Sequence, residues 1–157
     1  MNKLLISSCL LGQYVRYDGK IKRCNNPLFD KIIKNCLIYP VCPEVDGGLP
    51  VPRPPSEIVT GGGNIKILNK YGDDVTSFFL KGAKKALDTA LENDIKVALL
   101  KSKSPSCSNN YVYDGTFSKK LVIGEGISVS LLKKYGIKVF NENQLDLLWK
   151  FISEKDD

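Results

Sequence analysis

The chain opens on a short apolar run, Lys3 to Ser8, that ends in small residues and predicts a first strand buried on both faces. Pro27 to Asn35 places Leu28, Ile32 and Ile33 on one helical face, with Asn26 as N-cap and Pro27 in the first helical position, so a crossover helix is expected there. Leu37 to Val41 is a second strand of apolar and β-branched residues, stopped by Cys42 and Pro43. The longest periodic stretch opens at Asp74-Val75-Thr76, after which Phe79, Ala83, Ala86, Leu87, Ala90 and Leu91 keep the three-four spacing of a core-facing stripe. Its alanines predict close packing on a sheet. Lys96 to Lys101 then reads as a third strand. Gly126 to Tyr135 is a helix through Ile127, Leu131 and Leu132, closed by a left-handed cap at Gly136. Ile137 to Phe140 is a fourth strand, and Asn141 with Gln144 forms a capping-box pattern before a last helix carrying Leu145, Leu148, Trp149 and Ile152.

Alternating strands and helices predict an α/β fold: a mainly parallel sheet with helices on both faces, a Rossmann-like or flavodoxin-like three-layer arrangement, filling residues 1–157 as one unit. Punctuation is dense between Pro43 and Gly63, which holds Pro43, Pro50, Pro52, Pro54 and Pro55 with Gly47, Gly48 and Gly61 to Gly63. This stretch reads as a long ordered loop walling a functional crevice, its prolines limiting the freedom lost on ordering. A small hairpin is expected to include Asn64 to Asn69.

Composition adds compartment and partners. At 43% hydrophobic and 25% charged residues the chain is an ordinary folded protein rather than a disordered one. Five scattered cysteines, an odd number without the density of a secreted disulfide scaffold, predict reduced thiols and a cytoplasmic setting. Lys3, the apolar stretch Leu4 to Ile6 and Ser7-Ser8-Cys9 have the outline of a lipoprotein signal, but a signal needs about 7 to 15 apolar residues and a membrane span about 20. No membrane partner is expected. The net charge of +6, with pairs at Lys84-Lys85, Lys119-Lys120 and Lys133-Lys134, favours an anionic substrate such as a nucleotide or RNA, or simply marks solvated helix and turn faces. Without an RNA-binding motif, no stable nucleic-acid partner is expected.

In an open parallel sheet the ligand crevice lies beyond the carboxyl ends of the strands, where strand order reverses. Cys9, Cys42 and Cys107 all fall on segments leaving such ends, whereas Cys36 falls at the start of its strand and reads as a buried structural thiol; Cys24, in a crossover segment, is ambiguous. Gly12, Pro43 and Pro105 stiffen the three segments. Scattered cysteines are also common as small core residues, and no local Cys-x-x-Cys knuckle is present. The chain contains no histidine, which rules out Ser-His-Asp triads, Cys-His dyads and histidine bases. Three thiolates suit either zinc with water in the fourth position or an iron-sulfur cluster with one iron lacking a cysteine.

Polar residues flank these thiols. Glu44 lies two positions after Cys42, so a strand-like backbone would send both side chains the same way and let the carboxyl shuttle protons; loop solvation is the plainer reading. Ser104, in Ser104-Pro105-Ser106-Cys107, either returns its hydroxyl toward a metal or caps the turn. Arg53 offers a planar fork of donors for a substrate carbonyl or phosphate, or is a solvent-exposed arginine.

A set of short motifs occurs in order along the chain: Ser8-Cys9-Leu10-Leu11-Gly12, Arg16-Tyr17-Asp18-Gly19, Cys42-Pro43-Glu44-Val45, Gly47-Gly48-Leu49-Pro50, Pro52-Arg53, Asp74-Val75-Thr76, Leu100-Lys101 and Ser104-Pro105-Ser106-Cys107. Together these resemble the thiouracil desulfidase family over nearly the whole chain. The resemblance implies a 4Fe-4S cluster on three cysteines matching Cys9, Cys42 and Cys107, with an open iron for the thiocarbonyl sulfur of a thiopyrimidine base, nucleoside or nucleotide. It implies replacement of C=S by C=O with release of hydrosulfide and no net electron transfer. Glu44 matches the family's proton-transfer carboxylate and Ser104 its supporting hydroxyl. The chain departs from the family's usual pattern at Ser108, where relatives often place glycine, and at Lys101-Ser102-Lys103; Cys24 lies outside the pattern. The resemblance also implies a short form without the appended second domain of some relatives. Two other functions fit the same residues, a persulfide or sulfur carrier and a non-catalytic zinc- or nucleic-acid-binding module.

Overall fold

The computed structural model describes residues 1–61 and 64–155; Gly62 and Gly63, the end of the expected long loop, lie outside the described residues. Four parallel strands form the central sheet: β1 (Asn2–Ser7), β2 (Cys36–Val41), β5 (Val97–Leu99) and β8 (Lys138–Phe140). Their spatial order is β2-β1-β5-β8. β1 is therefore central, pairing Leu4 with Ile38 on one side and with Val97 on the other. The order reverses between β1 and β5, and the switch-point crevice opens there.

Side chains alternate across this sheet. Leu4, Ile6, Val97 and Leu99 face a core completed by α1 (Pro27–Lys34) and α5 (Leu145–Lys155), through Phe29, Ile32, Leu148 and Ile152. Leu5, Ala98 and Leu100 face the opposite core with α3 (Thr76–Glu92) and α4 (Ile127–Lys134), through Leu87, Ala90, Val129 and Leu132. These are the expected helices on both faces.

Local signals place the helix ends. Asn26 Oδ1 accepts from Leu28 N at 2.8 Å, with Pro27 in the first turn of α1. Asp74 Oδ1 accepts from Thr76 N at 3.0 Å at the head of α3. Asn141 N donates to Gln144 Oε1 at 3.0 Å, while Asn141 Oδ1 accepts from Asn143 N at 2.8 Å, so the side chains of both partners serve the start of α5. Gly136 closes α4 in the left-handed region at φ +81°.

The proline- and glycine-rich stretch is more regular than its composition suggests. It contains α2 (Pro43–Asp46) and β3 (Ser56–Gly61), and β3 pairs antiparallel with β4 (Asn64–Asn69). Thr76 Oγ1 accepts from Ile67 N at 2.8 Å and fastens this hairpin to α3. A second antiparallel pair, β6 (Tyr111–Tyr113) with β7 (Leu121–Ile123), follows the Cys107 segment and carries no clear two-residue periodicity in sequence. The third strand is shorter than the expected Lys96 to Lys101 because only Val97, Ala98 and Leu99 have partners on both sides. No helix among the described residues is long and apolar enough to cross a membrane.

Candidate functional site

A cavity of about 840 Å³ opens at the carboxyl edge of the sheet, and Cys9, Cys42 and Cys107 all line it. Each arrives from a different strand. Cys9 lies in a 3-10 turn, Ser8–Leu11, directly after β1, and Gly12 closes that turn with its N–H on Cys9 O at 3.1 Å and φ +84°. Cys42 is the N-cap of α2 after β2, its own N–H donating to Asp46 Oδ2 at 3.1 Å. Cys107 is buried in the turn that follows β5.

Burial pushes all three thiols upward, Cys9 to about 11, with Cys107 and Cys42 also raised. Mutual repulsion adds to burial: Cys42 raises Cys9, and both raise Cys107. At Cys107 a hydrogen bond with the Ser7 side chain opposes the rise, and Ser7 Oγ in turn accepts from Lys101 N at 2.9 Å. Buried thiols that resist ionising alone become thiolates when a metal displaces their protons. Among the described residues no three Cys, Asp or Glu side chains are gathered to hold a metal ion. A cubane, whose ligands sit on separate irons, asks for a wider spread of sulfurs than one tetrahedral ion does.

The remaining cysteines separate as their strand positions suggest. Cys36 begins β2, at the end of the strand away from Cys42, and packs into the core against α1 and α5. Cys24 reaches the cavity wall, with its N–H on Leu10 O at 2.9 Å. Burial raises its thiol, and Glu142 raises it further while Arg23 opposes the rise.

Glu44 reaches the cavity by a different route from the one expected. The backbone after Cys42 is not strand-like: Pro43 starts α2, and Glu44 occupies its first turn. Glycine makes this placement possible. α3 crosses α2 so closely that a Cβ on Gly82 would lie 1.7 Å from Pro43 O, and one on Gly47 2.0 Å from Phe78 O. Burial raises the Glu44 carboxyl above its ordinary range, and the neighbouring Arg53 guanidinium pulls the other way. Arg53 is not a solvated surface arginine. Its Nε donates to Glu44 Oε1 at 3.1 Å, its Nη1 to Pro50 O at 3.1 Å, and its backbone N to Tyr17 O at 2.8 Å.

Ser104 lines the cavity and caps the Cys107 turn: its Oγ accepts from Ser106 N and Cys107 N, both at 3.0 Å. That use leaves the hydroxyl proton available for donation. Ser108 is fully buried, and its hydroxyl donates to Tyr111 O, so a serine at this position is satisfied internally. The Lys101-Ser102 departure also has partners. Lys101 Nζ lies 2.6 Å from Glu142 Oε2, and Ser102 N donates to Glu142 Oε1 at 2.8 Å, forming a second charged wall of the cavity. Ser7 and Glu142 were not legible as site residues. Ser7 belongs to an apolar strand run, and Glu142 lies in the cap of the last helix.

A reversed-order parallel sheet thus brings three thiols, a carboxylate and an arginine to one crevice, the arrangement of an α/β enzyme site. The family model for 2-thiouracil desulfurase matches residues 4–144, and the chain belongs to that family. The uncharacterized protein YbbK of Bacillus subtilis strain 168 is 38% identical over 149 residues, covering 91% of this chain and 97% of that protein. A solved structure described as the [4Fe-4S]-dependent thiouracil desulfidase TudS is 42% identical and superposes with a TM-score of 0.89, covering 98% of this chain and 99% of its own.

Proposed function

We propose that this protein is a cytoplasmic 4Fe-4S-dependent desulfidase that converts a thiopyrimidine to the corresponding oxo-pyrimidine, C=S plus water giving C=O plus hydrogen sulfide, with no net redox change. The observation that carries this reading is the arrival of Cys9, Cys42 and Cys107 from three strand ends at one cavity that also holds Glu44. Family membership and the likeness to TudS support it.

Cys9, Cys42 and Cys107 would hold the cluster, which supplies a soft Lewis acid with one coordination position left for sulfur. The chain's own residues do the rest. Glu44 takes the proton from attacking water and returns it to the departing sulfur or to the ring, a task that a histidine-free chain assigns to a carboxyl. Arg53 aims that carboxyl and presents the rest of its fork to a substrate carbonyl or phosphate. Ser104 steadies the Cys107 turn with its oxygen and relays with its proton. Lysines and arginines around the cavity, among them Lys22, Lys70 and Lys103, suit a nucleobase, nucleoside or nucleotide.

The test is an anaerobic assay of iron-sulfide-reconstituted protein against 2- and 4-thiolated pyrimidine bases, nucleosides and nucleotides, read as loss of thiocarbonyl absorbance and appearance of sulfide. Turnover of at least one compound is expected. Protein that carries its cluster and leaves the whole panel intact removes this function.

A further inference from the structure

Three of the non-glycine residues with left-handed backbone, Lys103 (φ +65°), Phe117 (φ +58°) and Lys119 (φ +62°), all line the cavity of the cysteines. A bulky aromatic in that region is a true outlier, and such conformations persist only where surrounding contacts over-determine them. The contacts are present. Glu57, a buried carboxylate on β3, accepts from Gly115 N at 3.0 Å and from Phe117 N at 3.2 Å with the same oxygen, Oε1. Asp114 N donates to Lys120 O at 2.9 Å and closes the finger between β6 and β7 at its base. Gly115 lies so near β3 that a Cβ there would be 2.7 Å from Ile58 O. A bridge between Lys103 and Val112 ties the finger to the segment that carries Cys107.

A buried carboxylate on one hairpin thus clamps the backbone of a second and sets Phe117, a residue 36% exposed, in the cavity wall. We infer that Phe117 is a stacking platform for the pyrimidine ring of the substrate and that Glu57 is the positioning residue that holds it in place. This rests on the thiopyrimidine reading and adds how the heterocycle is oriented. Stacking uses the π-face, which 2-thio, 4-thio and oxo-pyrimidines share, so Phe117 would bind substrate and product alike and leave discrimination to the polar groups. An interaction equal in the ground and transition states acts on KM rather than on kcat.

The experiment measures two quantities on cluster-loaded full-length protein: the Kd of uracil by equilibrium dialysis, and kcat and KM for 4-thiouracil. Phe117→Ala should raise Kd and KM together by about tenfold, within the range of a single base stacked on an aromatic, with a much smaller change in kcat. Phe117→Leu keeps apolar bulk without a π-face and should behave like Phe117→Ala, whereas Phe117→Tyr should stay nearer the native values. Glu57→Ala should raise the same two constants, and Glu57→Gln, which keeps an acceptor at that position, should raise them less. Native constants in Phe117→Ala, or in Phe117→Leu if the alanine variant does not fold, overturn the stacking role while leaving desulfidation standing. Native protein that neither binds uracil nor turns over any thiopyrimidine removes both readings.

Discussion

Arg53 Nε donates to Glu44 Oε1 at 3.1 Å from a side chain only 4% exposed, against 18% for the carboxylate it holds. The guanidinium is also fixed by Pro50 O, so one planar group joins the proline-rich segment to the turn that carries Cys42. Lysine has the charge but not the geometry to reach both acceptors in fixed directions. Arg53→Lys should therefore lower stability by about 1–3 kcal/mol, the range for leaving buried polar partners unsatisfied, and turnover should fall as well. An unchanged thermal midpoint with native turnover would show that the pair holds nothing in place.

Glu44→Gln keeps size and most hydrogen bonding and cannot titrate. The variant should fold, retain its cluster and bind substrate, yet turn over about a hundredfold more slowly, the low end for a lost acid-base group. Ser104→Ala should be milder in turnover and should also loosen the Cys107 turn, since Ser104 Oγ receives two of its N–H groups. Near-native kcat in cluster-loaded Glu44→Gln would take the carboxylate out of the mechanism.

Ligation is tested by iron and sulfide content after anaerobic reconstitution. Cys9→Ser, Cys42→Ser and Cys107→Ser should each lose the cluster and its broad visible absorption. Cys36→Ala and Cys24→Ser should keep it, the first because its thiol lies in the core away from the cavity, the second because Cys24 stands outside the motifs that carry the other three. Full iron content in any of the first three variants would break the assignment.

Gly82→Ala tests the crossing of α2 and α3. In an ordinary helix interior the change stabilises by up to about 1 kcal/mol. Here the added Cβ would lie 1.7 Å from Pro43 O, between two backbones that cannot both stay in place. The expected outcome is the opposite sign, a loss of roughly 1–3 kcal/mol or more from overpacking, with reduced iron per chain because Cys42 shifts with Pro43. A raised thermal midpoint would show that the helices separate freely.

Much of this molecule is encoded locally. The four parallel strands, the Asn26 and Asn141/Gln144 caps, the stripe of α3 and the division of Cys36 from Cys9, Cys42 and Cys107 all follow from residues within a few positions of one another. Periodicity, capping and strand polarity are short-range properties, and the absence of histidine needs no structure at all. Tertiary structure decided what depends on segments far apart in the chain. α2 and β3 inside the proline-rich stretch, and the β6–β7 pair, are short elements stabilised by partners rather than by their own patterns. The Glu44–Arg53 pair, the Ser7 side chain between Lys101 and Cys107, and the Glu57 clamp on Phe117 are set by packing. Each residue alone fits a solvated or structural role equally well, and only the folded chain, by removing water and fixing distances near 3 Å, makes these groups act on one another.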